Sequence, residues 1–216
     1  MTIKVLSSSS KGNCYIIDNG VNTLILECGI SYDSIIKNVD IERLSGVLIS
    51  HCHNDHSKAR KDFEKWYIPC LSTDNITPNK PFTIDTFKIL AIPVLHNVEC
   101  FAFWIRDLVD NKDLLFVTDA VYMPNIIDKN FDCMLLEANY SKEYVTTLEE
   151  MPTGCENHSS IEDLTKWLKL RQHGTKNLIL IHLSSRGNIR PESALNSLKQ
   201  YADNVYVATN GLKIEI

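Results

Sequence analysis

Short apolar runs of strand length recur along the chain, each bounded by turn-forming residues. Cys14 to Asp18 and Thr23 to Leu26 flank Asn19-Gly20, a pair that favours a hairpin because both residues tolerate positive φ. Gly46 to Ser50 reads as a buried strand and Ile68 to Leu71 as a shorter one. Phe87 to Ile92, Cys100 to Arg106 and Leu114 to Val117 follow, with Asp110-Asn111 marking the turn between the last two. Phe131 to Leu136, Leu178 to Ile181, Val205 to Val207 and Leu212 to Ile216 complete the strands. Helical patterning covers Ser31 to Lys37, Ser57 to Trp66 and Ser141 to Glu149. Ser160-Ile161-Glu162-Asp163 resembles a capping box opening a helix to about Leu170, and Pro191 suits the first turn of a helix reaching Tyr201. Many strands with helices interspersed late predict α/β or α+β layering.

Polar residues of one kind stand just beyond several of these strands. Gly46 to Ser50 runs into His51-Cys52-His53-Asn54-Asp55-His56. Phe87 to Ile92 leads through Pro93 to His96, Leu114 to Val117 delivers Asp119, and Leu178 to Ile181 delivers His182. Imidazole and carboxylate are ligand types that first-row divalent ions prefer, and so dense a set in a core would leave each group needing a partner. Residues two apart in an extended backbone point the same way, so His51 and His53 can share one ion. Asp55 and His56 lie further round the turn and suit a second. His96 completes the first set and His182 the second, and Asp119 is the natural bridge because a carboxylate has two oxygens. Ion pairs of this kind lie roughly 3.5–4 Å apart and clamp an activated water.

Size and charge narrow the class. The 216 residues suit one compact domain, taken as 1–216, with 44% hydrophobic and 23% charged residues. A formal net charge of -5 does not advertise a nucleic-acid binder, although an acidic protein can carry a basic rim. The seven cysteines are irregularly spaced without a C-x-x-C pair and read as small buried hydrophobes in a reducing cytoplasm. The opening residues lack the apolar stretch of a signal peptide, and no apolar run approaches a membrane span.

The ordered set H-x-H-x-D-H, His96, Thr118-Asp119 and His182 resembles the metallo-β-lactamase fold superfamily of metallohydrolases. Ser8-Ser9-Ser10-Lys11-Gly12-Asn13-Cys14-Tyr15, Leu24 to Gly29, Leu135 to Tyr140, Asn157 to Ser160 and His182 to Asn188 are similar to segments of its YycJ/WalJ-like exonuclease branch. The resemblance implies a four-layer αββα sandwich and two divalent ions, zinc or manganese. It implies a nucleic-acid or other phosphodiester substrate, no membrane partner, and is compatible with a homodimer. Asp55 then serves as both ligand and catalytic carboxylate. His158, before the helix that starts near Ser160, is placed to touch a scissile phosphate and protonate the leaving oxygen, with Glu137 orienting it. Ser159, Arg186 and Asn188 are the expected substrate contacts, with Arg190 beside them. Glu27 stands where relatives carry Asp beside the metal ligands, and the segment between Asp119 and His182 is too short for an inserted clamp domain.

Simpler roles compete with these. His158 can cap its helix, His173 reads as a surface residue, and Cys52 reads as packing because it alternates away from His51 and His53. Lys58, Arg60 and Lys61 form a solvated helix face, and Ser7 to Ser10 read as a tight loop, since no histidine partner for a nucleophile is evident. Two other functions remain: the same site acting on a lactone, thioester or amide, or a non-enzymatic metal-binding interaction module.

Overall fold

The structure, a computed structural model, describes residues 1–123, 129–143, 155–184 and 191–216. Among them, two mixed sheets face each other. The first contains β1 (Thr2–Ser9), β2 (Gly12–Asp18), β3 (Thr23–Leu26), β4 (Leu44–Leu48), β5 (Cys70–Leu71) and β13 (Lys213–Glu215), in the order β13-β1-β2-β3-β4-β5. The second contains β6 (Phe82–Ile84), β7 (Phe87–Val94), β8 (Cys100–Asp107), β9 (Asp113–Val117), β10 (Phe131–Glu137), β11 (Thr175–Ile181) and β12 (Ala202–Val207), in the order β12-β11-β10-β9-β8-β7-β6.

Three apolar clusters explain the layers. Between the sheets, Ile3, Val5, Tyr15, Leu24, Leu26 and Leu48 of the first meet Phe87, Phe101, Phe103, Phe116, Leu135 and Ile179 of the second. Residues alternating to the outer face of the second sheet, such as Leu115, Met134 and Leu180, pack under Ile161, Leu164 and Leu168 of helix α4 (Ile161–Leu170) and Leu198 of α5 (Pro191–Leu198). On the outer face of the first sheet, Ile25, Val47 and Cys70 pack against Ile35 of α1 (Tyr32–Ile36) and Phe63 of α3 (Arg60–Lys65). Helices therefore cover both outer faces, giving the αββα sandwich. Strands buried on both faces read as continuous apolar runs, which is why β4, β9, β10 and β11 were visible in the sequence.

Strand direction and register decide where the polar ends fall. β9, β10, β11 and β12 run parallel, with Leu136 opposite Val117 and Glu137 opposite Ile181. β7 pairs antiparallel with β8, and β8 antiparallel with β9, so β7 and β9 end at the same edge. In the first sheet β3 and β4 are parallel, with Leu26 opposite Leu48. Phe101 N–H donates to the Ser50 carbonyl at 3.0 Å and joins the two sheets at that edge.

Some elements differ from the sequence reading. The helix expected over Ser57 to Trp66 forms as α3 from Arg60, after a break at Ala59, whose N–H donates to the Cys28 carbonyl at 2.9 Å; a separate turn, α2 (Asn54–Ser57), precedes it and carries Asp55 and His56. Strands β1 and β6 were not singled out. Of the helix expected at Ser141 to Glu149, residues 141–143 are not helical and the rest lies outside the described residues. Cys52, expected in packing, is instead exposed, unlike the free thiols of Cys14, Cys28, Cys70, Cys100 and Cys133. His173 is exposed, as expected. Among the described residues no helix is long and apolar enough to cross a membrane.

Candidate metal centre

At the shared edge the strand ends deliver their side chains into one buried space. His51 follows β4 by way of Ile49 and Ser50, and Asp55 and His56 sit on the single-turn helix α2. His96 lies in the loop between β7 and β8, Asp119 follows β9, and His182 follows β11. Three non-glycine residues here have left-handed backbone: Glu27 at φ 62°, Asp119 at φ 48° and His182 at φ 52°. Such φ values are costly for branched side-chain geometry and cluster where function over-determines the backbone.

The distances separate two sets of donors. His51 Nε2 lies 2.9 Å from His53 Nδ1, which lies 3.4 Å from His96 Nε2. Asp119 Oδ2 is 3.8 Å from His51 Nε2 and 3.9 Å from His96 Nε2. In the second set Asp55 Oδ2 is 3.2 Å from His56 Nε2 and 3.5 Å from His182 Nε2. Asp119 Oδ1 faces this set, 3.4 Å from His56 Nε2 and 3.7 Å from His182 Nε2. Tetrahedral bonds of about 2.0–2.1 Å would put ligand atoms about 3.4 Å apart, within the observed spread. Ligand atoms of His51, His53, His96 and Asp119 lie within 4.8 Å of one another, as do those of Asp55, His56 and His182, and those of Asp119, Glu137, His158 and His182. The donors are of the kind that fit a divalent cation, and Asp119 turns one oxygen toward each set.

The outer ring nitrogens are held from behind, which fixes the ring and leaves the inner nitrogen facing the centre. His96 Nδ1–H donates to the Asn157 carbonyl at 3.1 Å, and His51 Nδ1 pairs with Ser50 Oγ at 2.9 Å. His56 Nδ1 faces Glu27 Oε2 at 3.4 Å; both atoms are buried and otherwise unpartnered. His182 Nδ1 faces Glu137 Oε1 at 3.2 Å. That same oxygen accepts from His158 Nδ1–H at 2.6 Å, and the His158 ring stacks on His182 with centroids 5.1 Å apart. Cys100 Sγ stands 3.8 Å from His51 Nδ1, and burial pushes its thiol well above the usual range, so it stays a protonated wall of the site.

Charge is distributed unevenly. Burial, then the neighbouring His56, pushes His51 down to about 2, so the first set is built from a neutral imidazole. Burial opposes a charged His56, but Asp119 and Glu27 outweigh it and raise His56 to about 10. His182 is likewise raised against its burial by Asp119 and Asp55. Asp55 is lowered despite burial by the hydrogen bonds of His182 and His56, and Asp119 by several surrounding imidazoles. Without cations, protons on His56 and His182 stand in for positive charge among Glu27, Asp55, Asp119 and Glu137. His158 is raised against its burial by the Glu137 hydrogen bond and charge.

His158 reaches this place because residues 158–161 run beside the end of β10: Asn139 N–H donates to the Ser159 carbonyl and Ile161 N–H to the Tyr140 carbonyl, both at 2.9 Å. Ser159, expected to touch substrate, is instead fully buried; its hydroxyl donates to the Ala120 carbonyl at 2.6 Å, tying this segment to the loop after β9. Arg186, Asn188 and Arg190 lie outside the described residues. The side chains of Asn13 and Asn139 were not anticipated. Asn139 Nδ2 donates to the His182 carbonyl at 3.0 Å and to Glu137 Oε1 at 3.3 Å, so it holds the backbone of that ligand and the carboxylate behind its ring. Only the segments containing these asparagines were visible beforehand, through resemblance.

Fold and donor sets together are similar to those of metallohydrolases: the family model described as "Metallo-beta-lactamase superfamily" matches residues 10–71. Across the longer span the chain is 25% identical to exodeoxyribonuclease WalJ of Streptococcus pneumoniae, covering 92% of this chain and 87% of that protein. It is 22% identical to "Probable metallo-hydrolase YhfI" of Bacillus subtilis, covering 83% of this chain and 84% of that one. The crystal structure of YhfI superposes with a TM-score of 0.78 at 18% identity, covering 100% of this chain and 99% of that chain. Human tRNase Z, short form, superposes with a TM-score of 0.67 at 14% identity, covering 100% and 99%.

Proposed function

We propose that this protein hydrolyses phosphodiester bonds of nucleic acid with the help of two divalent ions, zinc or manganese. His51, His53 and His96 would hold one ion, Asp55, His56 and His182 the other, and Asp119 both. Such a pair supplies Lewis acidity to a phosphoryl oxygen and an activated water beside it. The chain's own residues do the rest. His158, its Nδ1–H fixed on Glu137 and its pKa raised, carries a proton on Nε2 that can pass to the leaving oxygen. Glu137 keeps the Nδ1 proton and holds the ring in one orientation while that transfer occurs. The Glu137–His158 contact of 2.6 Å is the single observation that carries this reading, because it fixes an acid next to Asp119 and His182 that neither of the two proposed ions needs as a ligand. The name of the relative WalJ supports nucleic acid as the polymer, and DNA as the first one to try.

The test follows from the proton. His158→Ala is expected to slow hydrolysis of a labelled DNA strand by about 10²–10⁴-fold. On a bis(nitrophenyl) phosphate, whose leaving group departs without an acid, the loss should be much smaller. Equal rates for variant and wild type on DNA would end the case for His158 as the acid. Turnover of lactones or thioesters without any phosphodiester would instead favour a carbonyl substrate at the same centre.

A further inference from the structure

The serine-rich hairpin between β1 and β2 lies against the second donor set, and its buried polar groups form a directed chain. His182 N–H donates to Ser8 Oγ at 2.9 Å. Ser8 Oγ and Tyr15 Oη are 2.8 Å apart, and the Tyr15 hydroxyl donates to Asn13 Oδ1 at 3.3 Å, which leaves the Ser8 hydroxyl to donate to Tyr15. Asn13 Oδ1 also accepts from Ser9 N–H at 3.0 Å, so the amide oxygen is fixed and the amide nitrogen must turn the other way. That nitrogen faces the donor set, 3.4 Å from the Asp55 carbonyl, 3.5 Å from Asp55 Oδ2 and 3.1 Å from His56 Nε2. Asn13 and Tyr15 are fully buried. The Asn13 backbone belongs to the same brace, since its carbonyl accepts from Gly29 N–H at 2.9 Å. Among the contacts of the described residues, Ser8, Asn13 and Tyr15 make no hydrogen bond to His51, His53 or His96.

We propose that Asn13, with Ser8 and Tyr15, is the positioning residue of the second cation pocket: the chain ties the backbone of His182 to the Asp55 carbonyl and carboxylate, on the ligand turn that follows a different sheet, and so sets the spacing of these ligands. This rests on the reading that cations occupy the site. The physical reason is distance along the sequence. Asp55 and His56 share one turn of helix, but His182 arrives on β11 of the opposite sheet and at a left-handed φ, so nothing local holds it in register with them. Groups behind metal ligands commonly contribute about 10- to 100-fold in affinity. The His51, His53 and His96 pocket, which the brace does not touch, should be indifferent to it.

The experiment compares metal retention in two backgrounds. Tyr15→Phe removes one hydroxyl and keeps the ring, and Ser8→Ala provides a second, milder break. Each is placed in a His53→Ala chain, where the first pocket is crippled, and in a His182→Ala chain, where the second is. Zinc-loaded proteins are titrated with a chelator and the bound metal is measured by emission spectroscopy. In the His53→Ala background the remaining ion should be lost at about 10- to 100-fold lower chelator, and in the His182→Ala background the curve should not move. Equal shifts in both backgrounds would mean general loosening and overturn the proposal, as would no shift in either. Wild-type protein that holds no metal after loading would overturn it together with the metal reading. The expected difference in retention without any turnover of DNA would overturn only the phosphodiester assignment.

Discussion

At the scale of single residues, Asp119 and Gly29 show two ways in which one position can control the centre. Asp119 turns one oxygen to each donor set at 3.4–3.9 Å, so its charge is shared by both pockets. Gly29 works by having no side chain: a Cβ there would lie 1.6 Å from the Asp55 carbonyl oxygen and 2.8 Å from Asn13 N. Those are backbone atoms, so a larger residue can be fitted only by moving the ligand turn. Gly29→Ala is expected to destabilise the fold by about 3 kcal/mol or more, at the upper end for overpacking. Urea unfolding midpoints of the metal-free protein measure it; an unchanged midpoint would show that the turn can shift freely. The metal-type residues themselves were legible because histidine and aspartate at strand ends are chemically conspicuous. Asn13 and Asn139 were not, since an asparagine in a sequence carries no sign of which distant backbone it will meet.

At the scale of elements, register and caps matter more than composition. The helix predicted from the Ser160 capping sequence forms with Ser160 Oγ accepting from Asp163 N–H at 3.1 Å. Ser160→Ala should cost about 1 kcal/mol of stability. It should leave metal retention unchanged, because His158 is held through Glu137 and the Tyr140 ladder rather than through the cap. Thermal denaturation with metal analysis checks both, and loss of metal would show that the cap reaches the centre. The helix expected from Ser57 to Trp66 forms only over Arg60–Lys65, for a reason at this scale. Periodicity continues through Ala59, but its N–H is drawn to Cys28 of the neighbouring loop, and the ligand turn becomes a separate element. The three-residue β6 and the polar half of β1 gave too little periodicity to read, and pairing with their neighbours made them strands.

At the scale of the whole molecule, the centre is a store of buried charge whose balance depends on pH. His56 has its pKa raised to about 10 from the ordinary 6.5, and His182 is raised in the same direction. A group whose folded pKa exceeds its unfolded one stabilises the fold fully below the unfolded value. That contribution fades as pH rises toward the folded value. The metal-free protein should therefore lose stability between about pH 6.5 and 10 on account of His56. On the acid side, Asp55 and Asp119 are lowered, so their contribution is lost as pH falls below the ordinary carboxylate range. Bound cations take the place of the histidine protons, so loading should abolish the alkaline decline. Scanning calorimetry of chelated and metal-loaded protein at pH 7 and 9.5 measures this. A chelated protein equally stable at both would contradict the charge balance described here.

The sequence by itself determined the kind of chemistry and the layers that carry it. Apolar runs of strand length specified α/β or α+β layering, the resemblance implied the two sheets, and the residues just past the strands were of types that hold divalent cations. Ser159 shows the limit: its neighbours were informative, but only the fold buried its hydroxyl against the Ala120 carbonyl. Tertiary structure alone decided which oxygen of Asp119 faces which donors, that Glu137 would serve both His158 and His182, and that a serine hairpin would brace ligands far from it in the chain. Alternation and apolar length act over a few residues and can be read locally. The meeting of strand ends depends on parallel register between segments remote in sequence, and no local pattern encodes it.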